Sequence, residues 1–168
     1  MRIAIAVLAL MLAACDADQT ESEPSGPVET VDLAAARAEA EAMIEAVALP
    51  TGAPAPPVVA SCTTEQCEVT RTTFMRRDWP AAWRGDYQGQ RNVAFCLSNG
   101  CEGAVAVDQT TGCAWRSVIL ETQVAEADDT DAANIEVECQ DLSPVQVRLA
   151  TKKAEQIVEA IENFRQAA

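Results

Sequence analysis

The chain has 168 residues, with 26 Asp and Glu against 12 Lys and Arg, a formal net charge of −14 and no His. Such negative charge repels phosphate backbones and excludes nucleic-acid binding through a basic footprint; it repels anionic lipid headgroups too. Without His there is no Ser-His or Cys-His nucleophile pair and no His-containing metal site, and no G-x-S-x-G, P-loop or G-x-G-x-x-G pattern occurs, so the sequence reads as a non-enzyme with no cofactor and no metal.

Met1-Arg2 precede an apolar run from Ile3 to Met11, closed by Leu12-Ala13-Ala14-Cys15. A short basic start, an apolar core too short to span a bilayer and small residues at its end describe a secretory signal over residues 1–14. Leu12-Ala13-Ala14-Cys15 resembles the lipobox of bacterial lipoproteins. The resemblance implies that the Cys15 sulfur carries a diacylglycerol, that the signal is cut before it, and that the new amino group is acylated. The implied partner is a lipid bilayer, and the implied place is the extracytoplasmic, periplasmic side of a bacterial cell membrane. Asp16 resembles an inner-membrane retention signal, which favours the inner over the outer membrane. Each buried acyl methylene contributes about 0.8 kcal/mol, so two or three chains anchor a protein durably.

Residues 15–31 are rich in Asp, Glu, Ser, Pro and Gly and predict a disordered tether. Residues 32–49 predict an amphipathic helix capped by Thr30 or Asp32 and stopped by Pro50, with Leu33, Ala36, Ala40, Met43, Ile44 and Val47 as its apolar stripe. Residues 50–60 read as an extended Pro-rich linker, and 61–168 as a Cys-rich helical domain. Within that domain Val69 to Thr73 allows a strand, but Thr64-Glu65-Gln66 looks like a helix start, and the helical reading is preferred. Asp78-Trp79-Pro80 marks a boundary. Asp86 caps a helix with Tyr87, Val93, Ala94 and Leu97 inward, ended by Asn99-Gly100. Asp108 caps the next, with Trp115, Val118, Ile119 and Thr122 on one face. Ala125 to Asp131 reads as an acidic loop and Asn134 to Cys139 as a short helix or strand. Ser143-Pro144-Val145-Gln146 is a capping box, with Leu142 and Val147 at the staple positions. Val147, Ala150, Ala154, Ile157, Ile161 and Phe164 then form a core-facing stripe. The predicted fold is mainly α, a small helical-hairpin domain stapled by disulfides.

From Gly85 to Trp115 the chain is similar to a Sel-one-like repeat, a relative of the tetratricopeptide repeat. Gly85 and Gln90 fit that family's first Gly and its Gln. Gly100 and Gly103 fit its glycine turn with one extra residue, followed by Val105, Asp108 and Trp115. Val93, Ala94 and Leu97 stand where Leu, Gly and Tyr are usual, and Gly89 and Gly112 where Ala is. The resemblance implies a helical hairpin that presents its surface to other proteins. More specifically, the segments around Gly85, Asn99 and Cys113 look like a Cys-bearing branch of this repeat in exported proteobacterial proteins of unknown function.

Beyond Cys15 six Cys remain: Cys62, Cys67, Cys96, Cys101, Cys113 and Cys139. An even number in an exported chain reads as a disulfide framework, although spacing alone does not select one pairing. The pairing taken as the expectation is Cys62–Cys67, Cys96–Cys101 and Cys113–Cys139; a four-thiolate zinc site from the repeated C-x-x-x-x-C is the minority reading. Arg84, Asp86, Gln90, Arg91 and Asn92 are the candidate interaction residues, either a partner-binding patch or a surface ion-pair network. Trp79 and Trp83 read as core rather than as an exposed anchor. Asp128-Asp129-Thr130-Asp131 with Asn134 reads as a solvated acidic turn rather than a cation loop, and Lys152-Lys153 as solvent-facing. The expected function is a membrane-anchored, non-enzymatic interaction or structural module of the cell envelope, its partner another envelope protein. The alternatives are a carboxylate-based hydrolase of envelope polymers and a thiol redox role.

Overall fold

The computed structural model describes residues 31–123 and 125–167. Cys15, the predicted signal and residues 15–30 of the predicted tether lie outside the described residues. Among the described residues the fold is mainly α and disulfide-stapled, as the sequence predicts, and its only strand-like pairing is one antiparallel bridge, Val58 to Val105.

Helix α1 (Leu33–Met43) begins where the Asp32 carboxylate accepts from the Ala34 and Ala35 N–H groups, both at 3.0 Å. It buries Ala36 and Ala40 and packs on α2. The predicted extension to residue 49 does not form, and Met43 is 71% exposed. The cause is downstream. Helix α2 (Glu65–Thr73), capped by Thr64, runs without a break through a π turn (Phe74–Asp78) into α3 (Trp79–Trp83). The boundary expected at Asp78-Trp79-Pro80 is therefore absent. Pro80 has no N–H, and in a regular helix its ring would strike the carbonyl four residues back, that of Arg76. The chain instead widens, and the Trp79 N–H reaches the Phe74 carbonyl. The Arg76 carbonyl is left to accept from the Val47 N–H at 2.8 Å, and the Ala48 carbonyl accepts from Arg84 Nε at 2.7 Å. A short Ala-rich helix gains little from another turn. A backbone carbonyl and a guanidinium offered by distant residues hold residues 44–49 out of the helix instead.

Residues 50–60 are not extended throughout: Thr51-Gly52 make a turn, with Gly52 at φ 91° and the Ala53 N–H donating to the Pro50 carbonyl at 3.1 Å, and the segment forms a wall of the domain. The Val59 N–H donates to the Ala104 carbonyl and the Ala106 N–H to that of Pro57. The compact unit thus starts at Val31 and includes the predicted helix and linker.

Helix α4 (Tyr87–Asn99) is capped by Asp86 and closed by Gly100 at φ 85°. The left-handed backbone continues through Cys101 (42°), Glu102 (58°) and Gly103 (75°), and the Cys96–Cys101 disulfide holds this turn to α4. Helix α5 (Gln109–Thr122), capped by Asp108, returns along α4. The two helices approach closely at Gly112, where a Cβ would lie 2.5 Å from Ser98 Oγ; at Gly89 a Cβ would lie 2.7 Å from the Ala82 nitrogen of α3. Helix α6 (Asp129–Cys139) starts earlier than the sequence suggests, because Asp128 and Asp131 form a reciprocal capping box that turns the expected acidic loop into a helix start. Helix α7 (Pro144–Gln166) begins at the predicted Ser143–Gln146 box and buries Ala150, Ala154, Ile157 and Ile161. Val147, expected on that stripe, is 42% exposed.

Helix α5 is the hub, touching α4, α6 and α7. Trp115 is fully buried among Trp79 and Trp83, with Phe74 and Phe164 beyond them. Trp79 and Trp83 are core residues. The disulfides are Cys62–Cys67, Cys96–Cys101 and Cys113–Cys139, the last joining α5 to α6.

Candidate functional site

The five candidate interaction residues do not share one surface. Arg84 ties the segment after α1, as above, and Asp86 accepts from the Gly89 N–H at 2.7 Å as the α4 cap. Gln90 is fully buried; its carbonyl accepts from Gln123 at 3.2 Å, and Gln123 also donates to the Gly85 carbonyl at 2.7 Å. Arg84 lines a separate space beside Pro50 and Phe164, and only Arg91 and Asn92 of the five border a common one. Arg91 pairs with Asp131 at 3.2 Å and donates to the Tyr87 hydroxyl, which itself donates to Asp131 at 2.6 Å. Asn92 donates to Asp78 at 3.1 Å and accepts from Gln88 at 2.8 Å.

The space they border is an open groove of about 640 Å³ between α4 and α6. One wall is the outward stripe of α4: Gln88, Arg91, Asn92, Phe95, Ser98 and Asn99. These residues fall on one face because three- and four-residue steps return a helix to the same side. The other wall is Asn134, Val137 and Glu138 of α6, with Arg116 of α5 also lining the space. Two large apolar groups stay exposed here, Phe95 at 53% and Val137 at 62%. Arg116 is 4% exposed and paired with Glu138, which also accepts from Ser98 at 2.8 Å. Yet the Arg116 Nε and Nη1 are buried without an acceptor among the described residues. Unpaired donors beneath two apolar residues suit a ligand that brings both acceptors and apolar surface.

The wall is braced electrostatically. The Tyr87 hydroxyl is held above its ordinary pKa, first by its hydrogen bond to Asp131, then by burial and the neighbouring Asp charges. Asp128 is partly desolvated, which pushes its carboxyl up. Backbone N–H groups of Thr130 and Asp131 outweigh that and hold it below the usual range.

Asp128, Thr130 and Asp131 are thus occupied in starting α6. Among the described residues no group of three or more His, Cys, Asp or Glu is placed to hold a metal, and no helix is long and apolar enough to cross a membrane. The C-x-x-x-x-C segments form separate disulfides and not a four-thiolate cage. Lys152 is exposed, whereas Lys153, also expected to face solvent, is half-buried.

Sequence reasoning missed Arg116 and Glu138. A visible signal existed: Arg116 interrupts a run of core residues from Cys113 to Ile119. A charge at such a position needs a buried partner, but nothing local names Glu138 as that partner.

Fold and site together define a small, disulfide-stapled helical domain with a mixed polar and apolar groove. No family model matches the chain, and no curated protein or solved structure is significantly similar to it.

Proposed function

We propose that this chain is a bacterial lipoprotein, held on the periplasmic face of a membrane by an acylated Cys15. Its helical domain serves as a non-enzymatic interaction module of the cell envelope, with the partner protein docking between α4 and α6. The inner membrane is favoured by Asp16. The observation that carries the docking reading is the pairing of exposed Phe95 and Val137 above buried, incompletely bonded Arg116. Interfaces concentrate affinity in aromatic and Arg groups of this kind. The Sel-one-like resemblance of Gly85 to Trp115 agrees, since such helical hairpins mostly present surfaces to other proteins. Binding is favoured over carboxylate hydrolysis because Glu68, Asp78, Asp131 and Glu138 each already engage a guanidinium.

Two measurements on cells test this. An acyl-chain analogue fed to the cells labels the chain and fails to label Cys15→Ser; labelling that persists in the variant overturns the anchor. A photocrosslinker in place of Phe95 gives one discrete protein adduct in intact envelopes, whereas one in place of Val145, exposed at 65% on α7, gives none. Equal yields from both positions, or no adduct from either, overturn the docking reading.

A further inference from the structure

A second cavity, of about 230 Å³, lies on the aromatic side of the domain, and all three Trp of the chain line it. Pro54 of segment 50–60 closes one side, and Lys153 and Gln156 of α7 border it. The rings meet edge to face, with centroids 5.1 Å apart for Trp83 and Trp115 and 5.8 Å for Trp79 and Trp83.

The three indole N–H groups fare differently. Trp79 Nε1 donates to the Pro54 carbonyl at 2.8 Å. The Nε1 donors of Trp83 and Trp115, side chains 6% and 0% exposed, are buried without any acceptor among the described residues. Buried Trp donors ordinarily find a partner, so two orphans beside one cavity call for an acceptor that the chain does not supply. Lys153 adds a cation that makes no close ion pair among the described residues, although its charge helps to hold the Asp108 carboxyl below its ordinary pKa. Lining by three indole side chains suits an apolar body, and a cavity of about 150 Å³ already suffices for a benzene ring.

We propose that this cavity is a small-molecule site for an aromatic-sized apolar ligand carrying acceptor oxygens, a carboxylate foremost, with Trp83, Trp115 and Lys153 as its polar contacts. The site is separate from the α4–α6 groove and does not depend on the docking reading. Its ligand enters with ring inward among the Trp side chains and its oxygens within reach of the two indole donors and the ammonium.

The test is a nitrogen–proton correlation spectrum of the full chain, titrated with naphthoate, naphthamide and naphthylmethylammonium. Naphthoate is expected to move the Trp83 and Trp115 indole signals saturably and well beyond that of Trp79, whose donor is already bonded. Naphthylmethylammonium has no acceptor and binds at least about tenfold more weakly. Lys153→Gln, at a half-buried position, weakens naphthoate by about tenfold and leaves naphthamide unchanged. Three results would overturn the proposal: no saturable shift at millimolar naphthoate, equal binding of the ammonium probe, or naphthoate binding untouched by Lys153→Gln.

Discussion

Trp115 and Arg116 are consecutive on α5, both almost wholly buried, and they face opposite kinds of surroundings. Around Trp115 the contacts are edge-to-face rings and the apolar stripes of α3 and α7. Around Arg116 they are the Glu138 carboxylate, which also accepts from the Ser98 hydroxyl, and the open space between α4 and α6. The first side is fixed by excluded water and close packing, which tolerate little change of volume. The second is fixed by directional pairs, and it leaves donors and apolar groups unmatched. Stability is therefore expected to reside on the Trp side, and docking of a protein partner on the Arg side.

The largest break in that contrast should come from Trp115→Ala, with a loss of about 3–5 kcal/mol read from the urea unfolding midpoint. Next is Glu138→Leu, which strands the Arg116 charge in the interior at a cost of about 3 kcal/mol. The double variant Arg116→Leu with Glu138→Leu should recover most of that stability while losing the groove adduct. If the double variant is no more stable than Glu138→Leu alone, Arg116 is not the group that Glu138 compensates. Gly89→Ala is expected to cost about 1–3 kcal/mol, since its Cβ would meet the Ala82 backbone at 2.7 Å. An unchanged midpoint would mean that α3 and α4 are not in close contact there.

The smallest effect concerns pH. Tyr87 holds its proton more tightly in the folded chain, so its contribution is full below its ordinary value of 10.0 and fades as pH rises through the raised folded value. Tyr87→Phe should flatten that alkaline loss in unfolding midpoints measured across the range. A loss equally steep in Tyr87→Phe would assign it to other groups.

The contrast between the two sides also explains what could be read in the sequence. Features set by neighbours in the chain were legible: the caps at Asp86, Asp108 and Ser143, the Gly100 stop, and the α7 stripe from Ala150 to Ile161. The failures lie where a distant partner or an unusual local device decides. The end of α1 depends on a hydrogen bond from Val47 to Arg76, a carbonyl that Pro80 leaves unclaimed. The start of α6 uses Asp at both ends of its capping box, so a helix signal reads as acidic loop. Of the five polar residues singled out, Arg91 and Asn92 reach the groove and Gln90 is buried. Spacing gives the side of a helix but not what covers it. The Arg116–Glu138 pair joins two helices and leaves no local pattern.

Whether protein docking belongs to the Arg side is tested most directly by Phe95→Glu combined with Val137→Glu, read twice on one preparation. Both residues are exposed, so the urea midpoint should stay within about 0.5 kcal/mol of the parent. The envelope adduct, captured through a crosslinker at neighbouring Asn99, should disappear. An adduct of undiminished yield in a fully folded variant would contradict the account.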